Sequence, residues 1–489
     1  MIAEKRGNVG RKAVSEEEKK YGYKVYLNQE LRESIEHYGV GQSFSERCAN
    51  LISLEIDKQK KLETKTVRFI DLFAGLGGIR IGFEQGLQTQ GLYAKCVFTS
   101  EIKKYAVKAY QGYFGNEKIC GDITQIKTKD IPDFDVLLGG FPCQPFSSAG
   151  KGLGFADTRG TLFFQIERII SEKKESGKPV QAFLLENVEG LATHDNGNTL
   201  KVILKRLREL GYRVKCKVLD SQYFGLAQSR KRIYIVGTLN KEVDLEDFEA
   251  DRATFADIME SGIPVIESRF TKCLFKNYSP TEVMGKSIKD KRGGENNIHS
   301  WDIGLKGATT KEQKKLLALL LRERRKKKWA EEIGIKWMDG MPLTLEQIRT
   351  FYNKKNLEQM LEDLVKKGYL TFEHPKELVD GIRKPDEKKP RGYNIVAGKL
   401  SFEFSKILNP SELAPTLVAM DVSKIGVVDG EGIRRLTIRE GQKLCGYDPD
   451  TYDLSTVKES EAFDLLGNTV CVPVISAIAE RMTIALKEE

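Results

Sequence analysis

The sequence predicts an α/β protein built around a parallel sheet, and three observations carry that expectation. Between residues 66 and 240, short apolar runs alternate with helical patterns; the runs are VRFIDLF, KCVFTSE, DVLLGG, AFLLENV and IYIVG. Strands alternating with amphipathic helices are βαβ units. The first run passes directly into Ala74-Gly75-Leu76-Gly77-Gly78 and then a helical stretch from Ile79, which reads as strand, glycine turn and helix. Polar residues also stand at the ends of successive runs, where an open sheet gathers its functional groups.

The chain has 489 residues, enough for about three domains at roughly 150 residues each. With 40% hydrophobic and 30% charged residues it reads as globular rather than disordered. No apolar run approaches the roughly 18 residues of a membrane span, and the N-terminus MIAEKRGNVGRK lacks an apolar signal core. The net charge of +9 permits a polyanionic partner. The eight cysteines are dispersed without any C-x-x-C pair, which disfavours zinc and redox motifs and suits the reducing cytoplasm.

Four parts follow in order. Residues 1–65 are polar, charged and mostly helical, and 66–240 carry the alternating pattern. Residues 241–408 are lysine-rich and irregular, and 409–489 regain compact helical patterns, ending in a helix from Val474 to about Lys487.

In the second part the glycine turn and the helix after it offer free N–H groups to a ligand, although such a turn alone can be a simple βα connection. Glu101 ends the strand VFTSE, where a carboxylate can accept two ribose hydroxyls. Asp122 ends a third candidate strand; either acid, taken singly, could be a helix cap. Nothing resembles a P-loop, which disfavours an NTPase.

The segment DVLLGGFPCQPFSSAGKG is the most informative. A buried-type strand runs through two glycines into Phe141-Pro142-Cys143-Gln144-Pro145, and two prolines restrict the backbone on both sides of the thiol. A structural cysteine belongs on an apolar face; this one stands at the mouth of a sheet, as a nucleophile would. Small residues and glycines follow, as in a mobile loop. AFLLENV then places Glu186 and Asn187 at another strand end, where partial desolvation raises a carboxyl pKa and suits it to proton donation. Before IYIVG, alternation puts Gln228, Arg230 and Arg232 on one face, and two guanidiniums there can hold a base oxygen, a carboxylate or phosphates. A solvated edge strand is the plainer reading of that cluster.

Taken in order, DLFAGLGG (71–78), Glu101, Gly121-Asp122-Ile123, GGFPCQPFS (139–147), Glu186-Asn187-Val188, Gln228–Arg232 and Gly467-Asn468-Thr469-Val470 resemble the DNA (cytosine-5)-methyltransferases of bacterial restriction–modification systems. Amino-methyltransferases carry Asp/Asn-Pro-Pro-aromatic where this chain has Phe-Pro-Cys-Gln, and the Cys-Phe-Thr block of the tRNA-methylating relatives is absent from the sequence.

The resemblance implies a Rossmann-like class I methyltransferase domain, assembled from both ends of the chain, with a smaller target-recognition domain and an N-terminal helical extension. It implies S-adenosyl-L-methionine as cofactor, held by Phe73, Gly75, Gly77, Glu101, Asp122, Ile123, Leu162 and Asn468. It implies that Cys143 adds to cytosine C6, that Glu186 neutralises charge at N3, that Arg232 holds the base O2 and that Arg230 steadies the site. The base must leave the duplex. Phe141 offers its carbonyl to the cytosine amine, and Gln144, Ser147, Lys151, Arg159, Gln228 and Thr416 are DNA-side candidates. Double-stranded DNA is the partner. A cognate restriction endonuclease is a functional rather than physical one, and the enzyme works in the cytoplasm without a membrane.

The family's variable region corresponds here to 241–408. It contains the basic run RERRKKKW (322–329), and then PLTLEQIRTFYNKKNLEQMLEDLVKKGYLTFE, whose two helical patterns, glycine and strand resemble a winged helix. A helical insert solvated by its lysines fits as well, and Trp337, Met338 and Asp339 could be core. The first 65 residues lie outside the family pattern. Tyr23–Asn28 alternates, a helix follows from Gln29 to about His37, and Ser43–Glu46 forms a capping box for a second helix. Strand, helix, helix resembles a ribbon-helix-helix module, which would make a homodimer; a helical appendage is the alternative. A DNA-binding regulator that keeps the fold without the activity is the rival function, and the intact Cys143, Glu186, Arg232 and Asn468 argue against it.

Overall fold

A computed structural model of the protein describes residues 27–64, 66–142, 162–291, 293–379, 382–396, 402–419 and 421–486. Cys143, Gln144, Ser147, Lys151 and Arg159 therefore lie outside the described residues, as do the first four positions of the alternating segment 23–28. The chain divides into two compact units, Met1–Thr66 and Val67–Glu489.

In the first unit, α1 spans Gln29–Tyr38 and α2 spans Phe44–Thr64. Asn28 caps α1 by accepting from Leu31 N at 2.8 Å, and the Gly39 N–H closes it on the Ile35 carbonyl. Ser43 accepts from Glu46 N at 3.2 Å, but the Glu46 carboxylate returns to Gln42 N at 2.8 Å, one residue before the expected box partner. None of residues 27–56 is buried.

The second unit is organised by a seven-stranded sheet. Its strands are β1 (Thr66–Leu72), β2 (Tyr93–Ser100), β3 (Ile119–Cys120), β4 (Val136–Gly140), β5 (Ala182–Val188), β6 (Arg213–Asp220) and β7 (Lys231–Thr238). They lie in the order β3-β2-β1-β4-β5-β7-β6. β1 to β4, β2 to β3 and β4 to β5 pair in parallel, whereas β7 is antiparallel to both neighbours. The sheet is parallel as expected over β1 to β5 and turns antiparallel only at this edge. The connection 221–230 is shorter than the roughly dozen residues of a crossover, so β7 must return alongside β6. No apolar run announces β6, because Arg213, Lys215 and Lys217 interrupt it and the first and third of its residues are exposed.

Alternation along the central strands supplies two cores. Phe69, Val136, Leu138 and Leu184 face one layer, with Ile79 and Phe83 of α3 (Gly78–Thr89). Ile70, Leu137, Phe183 and Leu185 face the other. There they meet Phe163, Ile166 and Ile170 of α5 (Leu162–Glu175) and Ile203 and Leu207 of α6 (Asn198–Glu209). Helix α4 (Lys104–Phe114) links β2 to β3.

The variable region opens with α7 (Arg269–Phe275), α8 (Pro280–Val283), β8 (Ser287–Ile288) and β9 (Asn297–Ile298). It continues with α9 (Lys311–Glu323), α10 (Lys328–Glu332), α11 (Leu345–Arg349), α12 (Leu357–Lys366), β10 (Leu370–Glu373), β11 (Lys376–Val379), β12 (Ile382–Pro385) and β13 (Gly392–Ile395). A small core of its own includes Trp301, Leu316, Leu320, Trp329, Met341, Leu361, Leu364 and Ile395. Trp337 is not in that core: it is 41% exposed, with Nε1 donating to the Arg325 carbonyl. β14 (Lys406–Ile407), β15 (Ile425–Asp429) and β16 (Gly432–Arg435) complete a second sheet in the order β16-β15-β14-β8-β9. That sheet joins strands from both sides of the expected 408/409 boundary, so the two segments share one structural layer there.

The chain ends in α13 (Ile438–Leu444), α14 (Glu459–Asn468) and α15 (Val472–Leu486). Helix α15 packs directly on α3. A Cβ at Gly86 would lie 2.4 Å from the Ser476 carbonyl oxygen, and one at Gly82 would lie 2.6 Å from that of Val472. Only glycine permits this approach, and it brings the C-terminal segment beside the first glycine turn as expected. The stretch Glu459–Leu486 is long and apolar enough to cross a membrane, but 72% of its apolar window is buried within the protein.

Candidate active site

The carboxyl edge of the sheet opens into one cavity of about 420 Å³, lined from β1, β2, β4, β5, β7 and the α14–α15 junction. At one end lies the turn after β1. Phe73, with φ 58°, and Gly75, with φ 54°, both adopt left-handed backbone. A non-glycine residue held there is strained, and such strain concentrates at ligand sites. Glu101 is bound into this turn. Its carboxylate accepts from Gly75 N, Ile102 N and Lys103 N, each at 2.8 Å, leaving acceptor capacity on Oε2. Asp122, Ile123 and Leu162 line the same end, and the Asp122 carboxylate also accepts from Thr124 N at 2.9 Å.

Asn468 closes this end from the far terminus of the chain. Its side-chain N–H group donates to the Asp464 carbonyl at 2.8 Å and to the Asp464 carboxylate at 3.1 Å. The same carboxylate receives Lys103 Nζ at 2.9 Å and the Tyr105 hydroxyl at 2.6 Å. Asp464 therefore ties two cavity-lining residues, Lys103 and Asn468, from behind. Gly77 does not line the cavity. A Cβ there would lie 2.5 Å from the Phe114 ring, so this glycine serves the packing of α3 on α4 rather than ligand contact. Beneath the turn, burial pushes the Asp71 carboxyl up to about 7.

At the other end, Glu186 and Arg232 face each other with Nε to Oε1 at 3.1 Å. Burial raises the Glu186 pKa, partly opposed by the Arg232 and Arg230 charges. Burial also lowers that of Arg232, with Arg230 adding to the effect. Phe141 and Pro142 complete this wall, and Cys143 follows Pro142 in the chain. The buried Asn187 amide donates to the Phe141 carbonyl at 2.8 Å, anchoring the turn that leads to the thiol. One lone pair of the expected base-amine acceptor is thus already engaged.

Of three further expected residues, Gln228 falls elsewhere, and Arg230 and Thr416 have structural partners. Arg230 is fully buried outside the cavity lining. Its guanidinium donates to the carbonyls of Leu417 at 2.8 Å, Gly467 at 3.0 Å and Thr469, joining the start of β7 to the C-terminal segment. These bonds are of the steadying kind expected of it. Gln228 is also buried rather than DNA-facing: it donates to the Leu444 carbonyl at 2.8 Å and accepts from Leu417 N at 3.0 Å. Thr416 donates to the Ser229 carbonyl at 2.8 Å. The alternation argument failed because β7 begins only at Lys231, so residues 228–230 are not strand. Lys103 and Asp464 are site residues the sequence reading missed, and it placed Asn187 at its strand end without giving it a role. Their signal is faint, since each acts through a partner distant in the chain or through a main-chain group.

Comparison with known proteins agrees with this arrangement. The model of the C-5 cytosine-specific DNA methylase family matches residues 67–483, beginning where the second compact unit begins. Type II methyltransferase M.NlaIV of Neisseria lactamica is 56% identical over 423 residues, covering 85% of this chain and 98% of the relative. M.NgoBV of Neisseria gonorrhoeae is 54% identical with the same coverage, and M.BanI of Aneurinibacillus aneurinilyticus is 42% identical over 441 residues, 95% of its length. From residue 67 onward, the chain belongs to the C-5 cytosine-specific DNA methylase family.

Proposed function

We propose that this protein methylates carbon 5 of a cytosine flipped out of double-stranded DNA, at a specific sequence, using S-adenosyl-L-methionine. The observation that carries the reading is the single cavity with Glu101 and the strained turn at one end and Glu186, Arg232 and Pro142 at the other. A nucleoside-like cofactor and a base can meet there.

The residues present suit that cofactor. Glu101 keeps a free acceptor site for a ribose hydroxyl, and Ile102, Ile123 and Leu162 supply apolar surface to an adenine ring. When bound, the cofactor supplies an electrophilic sulfonium methyl group. Cys143 attacks C6 of cytosine, forming a carbon–sulfur bond and making C5 electron-rich. Glu186 holds a proton against N3, Arg232 holds O2, and Asn187 holds the Phe141 carbonyl, two residues before the thiol in the chain. A base then takes the C5 proton, the electron pair of that bond restores the 5,6-double bond, and the C–S bond breaks with Cys143 leaving as thiolate. Cytosine inside a duplex is out of reach of such a site, so the base leaves the stack.

The names of the relatives support a place in a restriction–modification system, with a cognate endonuclease sharing the target rather than binding the enzyme. The setting is the cytoplasm. A methyl-transfer assay with labelled cofactor, followed by bisulfite sequencing, tests the whole reading. Label on C5 of one cytosine in a fixed sequence is the expected result. Absence of transfer favours the regulator reading, and label on N4 or N6 overturns the chemistry.

Asp464→Asn should weaken the Lys103 tie. An exposed ion pair contributes about 0.2–1 kcal/mol, so the cofactor dissociation constant should rise by up to about five-fold while DNA affinity holds. Titration calorimetry reads both. An unchanged cofactor affinity would remove Asp464 from the site.

The N-terminal unit has a separate role in this proposal. Its helices bury nothing over 27–56 and expose Leu31, Ile52, Leu54 and Ile56. Two helices without a core do not hold their fold alone, and a second copy of the unit, paired as in a ribbon-helix-helix dimer, completes it. Deleting residues 1–62 should convert a dimer to a monomer that still methylates the same sequence. Light scattering that finds the full-length protein monomeric at micromolar concentration leaves a helical appendage.

A further inference from the structure

Two tyrosines from the connection between α13 and α14 stand behind the cavity wall. The Tyr452 hydroxyl donates to the Leu76 carbonyl at 2.8 Å, and its ring meets that of Tyr447 edge-on at 5.3 Å. Tyr447 reaches further. Its hydroxyl lies against Gly78, the first residue of α3, so closely that a Cβ there would come within 2.3 Å of it. The same hydroxyl is hydrogen-bonded to Thr469 Oγ1. Gly78 and Thr469 both line the cavity, whereas Tyr447 does not. One buried phenol thus touches wall segments from the first glycine turn and from the α14–α15 junction.

Hydrogen-bond satisfaction decides which of the two hydroxyls donates. Tyr447 is 4% exposed, and Thr469 is the one hydrogen-bond partner of its hydroxyl among the described residues. A phenol has a single proton, and burial keeps it in place by pushing the Tyr447 pKa well above its ordinary value. If Thr469 donated instead, that proton would be buried without an acceptor, which folded proteins avoid. Tyr447 therefore donates, and the Thr469 hydroxyl keeps a proton of its own. Thr469 is 7% exposed, and its hydroxyl has no second partner among the described residues. A buried donor in a cavity wall, without a protein acceptor, points to an acceptor on the ligand. Helix α3 starts at this place, with Gly77 as N-cap and no side-chain cap. Gly78 and Ile79 line the cavity, and the start of a helix carries partial positive charge that favours an anion. S-adenosyl-L-methionine has one anionic group, the carboxylate of its amino-acid end.

We propose that Tyr447 is a positioning residue for cofactor binding: by donating to Thr469 it turns the Thr469 hydroxyl proton toward the cofactor's carboxylate, at the opening of α3. The proposal rests on S-adenosyl-L-methionine being the cofactor and adds to that reading the residue that orients this contact.

The test compares two ligands of the full-length protein by titration calorimetry. S-adenosyl-L-homocysteine carries the amino-acid end, and 5′-methylthioadenosine keeps the adenosine and the sulfur without it. Thr469→Val removes the donor and should weaken S-adenosyl-L-homocysteine by roughly 10- to 100-fold, the range for losing a hydrogen bond to a charged group. Tyr447→Phe leaves the donor in place but free to turn, and should weaken the same ligand by roughly 2- to 10-fold, the range for a neutral hydrogen bond. Thr469→Ser keeps the hydroxyl and should bind as the wild type does. 5′-Methylthioadenosine should bind every variant with wild-type affinity, which also reports an intact fold, because a phenylalanine ring keeps the place of the tyrosine beside Gly78 and Tyr452. The double variant Tyr447→Phe/Thr469→Val should be no weaker than Thr469→Val alone, since Tyr447 acts only through Thr469. Equal losses for both ligands would reduce Tyr447 to packing and overturn the proposal. So would an unchanged S-adenosyl-L-homocysteine affinity in Tyr447→Phe, or losses that add in the double variant. Binding of S-adenosyl-L-homocysteine by the wild-type protein distinguishes each of these results from failure of the cofactor reading.

Discussion

Replacing Cys143 by alanine should abolish methyl transfer to DNA. C5 of cytosine is too weak a nucleophile to take a methyl group unassisted, and only addition at C6 gives it enamine character. No second thiol stands ready: among the described residues Cys445 and Cys471 are buried, and no cysteine lines the cavity. The variant should still bind DNA and cofactor, since its lost group acts on the base alone. Residual turnover above background in a single-turnover assay would overturn the assignment. A DNA substrate with 5-fluorocytosine at the target should trap a covalent adduct, because fluorine cannot depart as a cation. Peptide mapping should place that adduct on Cys143, and an adduct on any other cysteine would transfer the role.

Glu186→Gln should slow turnover by roughly 100- to 10,000-fold, the range of general acid–base groups. The amide keeps shape and hydrogen bonding but has no proton to give to N3. The pH profile adds a second readout. Burial raises the Glu186 pKa above its ordinary value, so the proton-donating form persists to higher pH than for a solvated glutamate. Turnover carried by that form is present below the raised pKa and is lost as pH rises through it. Wild-type turnover should therefore show an alkaline limb from Glu186 and an acid limb from ionisation of the nucleophile. The Gln variant should keep the acid limb and lose the alkaline one. A defect confined to the Michaelis constant for DNA, with both limbs intact, would reduce Glu186 to a binding group.

Groups that act at the end of their own strand could be read from local sequence. The apolar runs before Glu101 and Glu186 bury what precedes each carboxylate, and the strand end delivers it to the sheet edge. Arg232 was named by alternation together with Gln228 and Arg230, and of the three it alone lies within β7, opposite Val188, and lines the cavity. The glycine turn was legible because a strand, three glycines and a helix in succession leave the backbone few conformations. The extent of α1 was equally local, with Asn28 and Gly39 marking its two ends.

Tertiary structure decided wherever a residue's partner is distant in the chain. Gly77 and Gly86 look alike as sequence, but one makes room for Phe114 and the other for the backbone of α15. Gln228 and Arg230 read as an exposed polar row; only the return of residues 417 and 467–469 supplies the carbonyls and N–H that permit their burial. The antiparallel course of β7 follows from the length of one connection, and the layer shared across residue 408 follows from strand pairing between distant segments. Local pattern governs which groups reach the sheet edge, because alternation and turn chemistry act over a few residues. Which of those groups face the cavity is set by long-range packing, because a buried polar side chain must find hydrogen-bond partners wherever the chain brings them.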